Sequence, residues 1–342
     1  MRCYSVWIFL GDSRMSDIVI STTDNSRLSL LLNWYANPYH TPIFMAHYLG
    51  FYEDEGLSPA IMETTDPSDV TDLIGQNKVD IALKAMIHTY AARAKGYKVV
   101  STGTLFHEPP TGLIFLKSSG IKGFEDIRGK RIGYIGRFGK IIIDDLARRA
   151  GIELDAYETV RVGMNMTDAI LQNQVDAGMG IGCFQQVELE QASGQETGIL
   201  RVDELAGLGC CCFCSILFLV NEEYLAHNED KVRRFMKATQ RGVQWTLENP
   251  EKAYDLLCQN IPRLRTETFR KIYISCLPYF SRDLVNVERD WDKVGTYAQE
   301  LGITDESMDA MSCYSNEYLP ERPYADFQPL DGHYLSESRA AS

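Results

Sequence analysis

Lys84 and His88 stand four residues apart in Val79-Asp80-Ile81-Ala82-Leu83-Lys84-Ala85-Met86-Ile87-His88, and the pair is equipped for carbonyl chemistry. A lysine amine forms a Schiff base with an aldehyde, and an imidazole beside it can move protons or react in its own right. A second group, Gly133-Tyr134-Ile135-Gly136-Arg137-Phe138-Gly139-Lys140, has the glycines that let successive backbone N–H groups curl around an anion. The stretch would form a cup for a monophosphate, helped by the charge of Arg137 or Lys140. It is no Walker loop, because Ile141 follows the lysine where Ser or Thr should ligate magnesium, and the glycine spacing departs from the dinucleotide fingerprint. A third group, Gly209-Cys210-Cys211-Cys212-Phe213-Cys214, crowds four thiols into five positions. In an extended segment Cys210, Cys212 and Cys214 share one face, where thiolates could ligate iron or zinc.

Each group has a plainer alternative. Lys84 could be a solvated helix-start residue and His88 an ordinary half-buried histidine. The glycines could make a simple turn with solvated charges, and the thiols could be small buried hydrophobes, since free cysteine packs well and the spacing matches no standard zinc module.

Positioning these side chains calls for alternating strands and helices. Val79, Ile81 and Leu83 alternate as a buried strand does, and residues 85–94 repeat apolar side chains at helical spacing. Lys84 is thus delivered to the carboxyl end of a strand, where ligands gather in open parallel sheets. With a helix begun by Lys84, His88 lies one turn on and faces the same way. Upstream, the pattern predicts a strand over residues 28–32, an aromatic loop over 33–40, a helix over 42–52, a strand over 57–62 and a helix over 68–76 capped by Asp66. This βαβα alternation implies a parallel sheet, continued by strands over 98–105 and 112–117. A second βα series follows, with strands over 131–135 and 175–181, helices over 140–150 and 166–172, and Asn165 at a helix start near the cleft. Residues 185–190 suggest an amphipathic helix with a solvated face, and residues 213–220 a buried strand. The rest is mostly helical, over 230–248, 250–260 and 267–276. The expected division is an extension over 1–27, lobe I from 28–116 with 213–316, lobe II over 117–212, and an irregular tail over 317–342, the chain crossing the hinge twice.

Composition narrows the function. Across 342 residues, 34 Lys and Arg oppose 47 Asp and Glu, and the net charge of −13 argues against a nucleic-acid or anionic-membrane partner. The nine cysteines, an odd number with four crowded together, are no disulfide framework and imply a reducing compartment. No stretch reaches the length of a membrane span, and residues 1–10 lack a nearby small-residue cleavage site, so a cytoplasmic protein acting on a small molecule is expected.

Read together with Leu32-Asn33-Trp34, Pro38-Tyr39-His40, Asp66-Pro67-Ser68-Asp69-Val70-Thr71, Glu108-Pro109, Gly163-Met164-Asn165 and Gln185-Gln186-Val187-Glu188-Leu189-Glu190, the three groups closely resemble the fungal family that makes 4-amino-5-hydroxymethyl-2-methylpyrimidine phosphate, the thiamine pyrimidine precursor. The resemblance covers residues 28–318. It implies an α/β fold of the two-lobed type II periplasmic-binding-protein kind, with mixed sheets flanked by helices, in a homodimer. It implies that Lys84 carries pyridoxal 5′-phosphate as a Schiff base and that His88 is consumed as a source of product atoms, in a single turnover. Asn33, Trp34, Gly136, Arg137, Phe138 and Gly139 would hold the pyridoxal phosphate, and Cys210, Cys211, Cys212 and Cys214 would handle iron, with oxygen as oxidant. Two positions depart from the pattern. Arg137 stands where the family usually has Glu, and Gly182 stands before Cys183 where it usually has Glu. A solute-binding protein, or a sensor of pyridoxal phosphate or pyrimidine without turnover, is the competing expectation.

Overall fold

Both faces of the segment before Lys84 are buried, which makes it a central strand. Ile81 and Leu83 enter one apolar cluster and Ala82 the other, as a strand covered by helices on both sides requires. The computed structural model describes residues 26–305 and 308–321. Most of the expected extension and of the expected tail lies outside the described residues.

In chain order the strands are β1 (Arg27–Leu31), β2 (Ser58–Met62), β3 (Ile81–Ala85), β4 (Val99–Phe106), β5 (Thr111–Leu116), β6 (Arg131–Tyr134), β7 (Glu158–Arg161), β8 (Ala177–Ile181), β9 (Thr197–Arg201) and β10 (Ile216–Asn221). They form two five-stranded sheets, β2-β1-β3-β10-β4 and β7-β6-β8-β5-β9. The βα series are parallel, β1 to β2 and β3, and β6 to β7 and β8. A strand returning from outside each series runs antiparallel, β10 against β3 and β4, and β5 against β8 and β9. The fold is therefore two-lobed, with mixed sheets.

Residues 112–117, expected to continue lobe I, instead fall in β5, inside the second sheet. A Cβ on Gly112 would collide with the backbone carbonyl of Leu200, so only glycine allows β9 to approach this closely. A buried strand reads the same in either lobe, and its partner decides where it belongs.

The helices are α1 (Thr41–Tyr48), α2 (Phe51–Asp54), α3 (Asp69–Gly75), α4 (Met86–Ala94), α5 (Arg137–Arg149), α6 (Met166–Leu171), α7 (Val187–Ser193), α8 (Val202–Leu205), α9 (Glu222–Glu248), α10 (Pro250–Asn260), α11 (Glu267–Cys276) and α12 (Glu288–Glu300). The helix expected over 42–52 is broken between α1 and α2 by Gly50, whose φ of +75° a helix interior cannot hold. The helix expected over 185–190 begins within a π turn, Gly182–Gln186, before α7. Sequence patterning did not reveal α12. It packs on α4, where Tyr90 Oη donates to the carbonyl oxygen of Trp291 at 2.6 Å, so the carboxyl-terminal helices close back on the first sheet.

Candidate functional site

Lys84 is the penultimate residue of β3 and pairs with Leu217 of β10. Its side chain is 4% exposed, and Nζ donates to the carbonyl oxygen of Pro67. Burial pushes the amine down to about 8, against the opposing pull of the Asp66 and Asp69 carboxylates. The helix begins at Met86 rather than Lys84, so the two residues are not one helical turn apart. The end of a strand and the first turn of the next helix bring them together instead. Burial, and then the charge on Lys84, hold His88 well below the ordinary histidine range. Its Nδ1 is buried with no hydrogen-bond partner among the described residues.

The second lobe supplies the opposite wall. Gly136 precedes α5 in an extended conformation with no side-chain cap, so the N–H groups of Arg137 and Phe138 at the start of a 13-residue helix are open to an anion, while that of Gly139 donates to the Gly136 carbonyl at 2.9 Å. Phe138 lies edge-on to the His88 ring with centroids 4.7 Å apart. A Cβ on Gly136 would stand 3.5 Å from Ser68 Oγ, which places the start of α5 against the start of α3. Arg137 is exposed and makes no hydrogen bond or ion pair among the described residues, whereas Lys140 is engaged by Asp144 at 2.6 Å. Of the two cations suggested for the phosphate, Arg137 is the one not already paired.

Asp66 spans the cleft, its Oδ2 2.6 Å from Arg161 in the other lobe and its Oδ1 accepting from the Ser68 N–H at 2.8 Å. The Ser68 N–H, and then Arg161, hold this carboxyl below the usual range. A cavity of about 500 Å³ opens here, lined by Asp66, Pro67, Arg161, Gly163, Met164 and Asn165. Asn165 heads α6 but makes no capping hydrogen bond, so capping does not account for it.

Asn33 and Trp34 are placed differently from the glycine loop. The Asn33 amide donates to Tyr39 Oη at 3.3 Å and its oxygen lies 3.1 Å from His40 Nε2, within its own loop. Trp34 is buried, its ring 5.8 Å from that of Tyr35.

The cysteine run is not extended. Cys212–Cys214 forms a 3-10 turn, which rotates the thiols off the common face expected for Cys210, Cys212 and Cys214. Cys210 and Cys212 come together with their sulfurs 2.50 Å apart, although no bridge was expected within the run. The carboxylate of Asp290, on α12, converges with them, all three ligand atoms within 4.8 Å of one another. Cys211 turns away, donating to Asp203 Oδ1 at 2.8 Å and accepting from the Thr111 N–H at 3.4 Å. Cys214 also stands outside the convergent group, its thiol pushed up to about 12 by burial. Apolar residues at helical spacing, Trp291, Val294 and Ala298, could have revealed α12. Nothing in them says that its first turn meets the thiols.

The face expected to be solvated over 185–190 is largely enclosed. Gln185 is buried and accepts from the Ile181 N–H at 2.8 Å. Glu188 accepts from Thr167 Oγ1 at 2.5 Å, and burial raises its carboxyl above the ordinary range. A Cβ on Gly182 would touch Gln186 Oε1 and Pro110 Cγ, each at 3.3 Å, so a side chain here would press on the crossing between lobes.

Comparison with known proteins follows the same lines. A family model described as NMT1/THI5 like matches residues 37–253. The chain is 59% identical over 305 residues to the 4-amino-5-hydroxymethyl-2-methylpyrimidine phosphate synthase of Legionella pneumophila, covering 89% of this chain and 96% of the relative. It is 46% identical over 318 residues to the Saccharomyces cerevisiae protein of that name, THI12, covering 90% and 93%. Among solved structures, the alkanesulfonate-binding protein SsuA of Xanthomonas axonopodis bound to MOPS matches with a TM-score of 0.67 at 13% identity, covering 85% of this chain and 98% of that one. At that identity the likeness is one of fold alone. No helix among the described residues is long and apolar enough to cross a membrane.

Proposed function

The chain belongs to the NMT1/THI5-like family, and on that premise we propose that it makes 4-amino-5-hydroxymethyl-2-methylpyrimidine phosphate, the thiamine pyrimidine precursor, from pyridoxal 5′-phosphate and its own His88, with iron and oxygen. The observation that carries this is the buried Lys84 amine beside an unpartnered His88 nitrogen, opposite the uncapped start of α5. An aldehyde and a phosphate on one small molecule match those two walls. Pyridoxal phosphate bound there supplies the carbonyl carbon that the amine attacks and the phosphate that the helix start holds.

The chain's own residues do the rest. With Lys84 held near 8, about one amine in ten is neutral at pH 7, against fewer than about one in a thousand for a solvated lysine. Burial thus prepares the nucleophile, and the Pro67 carbonyl orients it. His88 stays neutral, with its Nδ1 lone pair or proton uncommitted to the protein. Phe138 packs against the ring and shields one side of it. The first N–H groups of α5, with Arg137, bind the phosphate. Iron belongs at the cysteine run, where Cys210, Cys211 and Cys212 are buried on the lead into β10, the strand that pairs with Lys84.

The test is borohydride trapping with pyridoxal phosphate, followed by peptide mapping after incubation with iron and oxygen. The expected result is an adduct on Lys84 and an altered His88. Reversible binding with no Lys84 adduct and an intact His88 would instead make the protein a binder of this fold without turnover.

A further inference from the structure

We propose that Cys210, Cys212 and Asp290, rather than the whole cysteine run, form a three-ligand site for a borderline divalent metal such as Fe2+. The proposal deepens the metal dependence put forward above and rests on it for the identity of the ion. Its geometry stands apart. Two sulfurs from the loop before β10 and a carboxylate from the first turn of α12 meet within 4.8 Å, and all three residues are buried. Ligands held tetrahedrally by one ion at about 2.3 Å stand about 3.8 Å apart, so the two sulfurs, once reduced, must move apart to share an ion with the carboxylate.

Asp290 is the unexpected member. It is 2% exposed, and a buried carboxylate must be paired or bound to a metal. Arg289 pairs with it through Nε at 2.9 Å and Nη2 at 2.6 Å, yet both contacts fall on Oδ1. The other oxygen is left to serve as a ligand. Arg289, itself exposed, also reaches Glu108 at 2.9 Å, so the chain between the lobes and the carboxylate are tied to one guanidinium.

Cys211 is excluded by its commitments. Its thiol lies between Asp203 and the Thr111 N–H, and Asp203 is in turn held by the fork of Arg201 at 3.0 and 2.6 Å. It pins the two crossings between the lobes to each other and turns away from the other thiols. Cys214 does not join the convergent group. Two thiolates and one carboxylate suit iron, cobalt or zinc, and three protein ligands leave a position open for an outside group.

The test is anaerobic titration of the reduced full-length protein with Co2+ in the absence of pyridoxal phosphate, read by thiolate-to-cobalt charge-transfer absorption. The wild type should take up one equivalent. Cys210→Ser or Cys212→Ser should remove most of the band, and Asp290→Asn should weaken binding at least about tenfold, the loss that even an outer partner's removal brings. Cys211→Ser and Cys214→Ser should bind within about twofold of the wild type. If Asp290→Asn fails to fold, Asp290→Cys decides the matter, since a third thiolate should raise the band by about half. Absence of the band in the wild type, loss of binding in Cys211→Ser or Cys214→Ser, or unchanged affinity in Asp290→Asn would each overturn the proposal. The borohydride-trapped Lys84 adduct, measured on the same samples, separates the two claims. An adduct without cobalt binding defeats the metal site alone, and cobalt binding without an adduct defeats the proposed synthesis alone.

Discussion

The Lys84–His88 stretch leaves β3 and the Cys210–Cys214 stretch enters β10, neighbouring strands whose residues pair directly. Their reactive side chains are positioned by different means. In the first, regular secondary structure does the work, because a buried strand ending at Ala85 and a helix starting at Met86 leave little choice about where residues 84 and 88 point. In the second, an irregular turn splits four similar thiols into different environments, one pair facing Asp290 and one sulfur facing Asp203. Chemically alike residues at adjacent positions can thus take unrelated roles when the backbone leaves the strand period.

The sharpest way to break this contrast is Lys84→Arg, which should abolish the trapped pyridoxal phosphate adduct, measured by mass spectrometry. An adduct that persists, or maps to Lys140, would show that the strand end is not the anchor. Cys212→Ser should do the reverse, leaving the adduct intact while product formation, followed by chromatography, falls to background. Loss of the adduct in that variant would mean that the cysteine turn supports the Lys84 wall rather than a separate chemistry.

A stability measurement tests the Lys84 environment without any ligand. Burial lowers its amine from 10.5 to about 8, so between those values the unfolded chain holds a proton that the folded chain has released. Stability therefore rises with pH across that window, and the full penalty is in force below about 8. A shift of this size costs about 3 kcal/mol, and the hydrogen bond to Pro67 returns about 1 kcal/mol. Lys84→Met is thus expected to raise stability by about 2 kcal/mol near pH 7 in chemical denaturation, the gain falling as pH rises through the window and giving way to a loss of about 1 kcal/mol above 10.5. A gain that does not depend on pH would mean that the amine is solvated.

Two smaller effects sharpen the second lobe's part. Arg137→Glu puts a negative charge at the start of α5 and should weaken pyridoxal phosphate binding by about 1 kcal/mol in equilibrium titration. Unchanged binding would take Arg137 out of the phosphate wall. If the same variant raises product formation while weakening binding, a carboxylate at this position has a chemical role. Arg161→Ala removes the exposed cross-cleft pair with Asp66 and should change affinity by no more than about 1 kcal/mol. A larger loss would mean that closure of the cleft depends on this one contact.

What the sequence by itself determined follows from local periods. Alternation through Val79, Ile81 and Leu83, glycines around Arg137, and helical repeats over α4, α5 and α9 each express the burial of one short segment, and a short segment carries that record in its own order. The motifs around Lys84 and His88 also identified the family before any coordinates. Tertiary structure decided what depends on partners distant in the chain. It placed β5 in the second sheet, where Gly112 lets β9 approach. It enclosed Glu188 against Thr167, which no periodicity of α7 foretells. It turned Cys211 toward Asp203 and brought Asp290 to Cys210 and Cys212 from a helix that sequence patterning did not reveal. Apolar spacing specifies which face of an element is buried, but the same face satisfies many neighbours equally well. Which carboxylate meets which thiol is settled only when the elements pack.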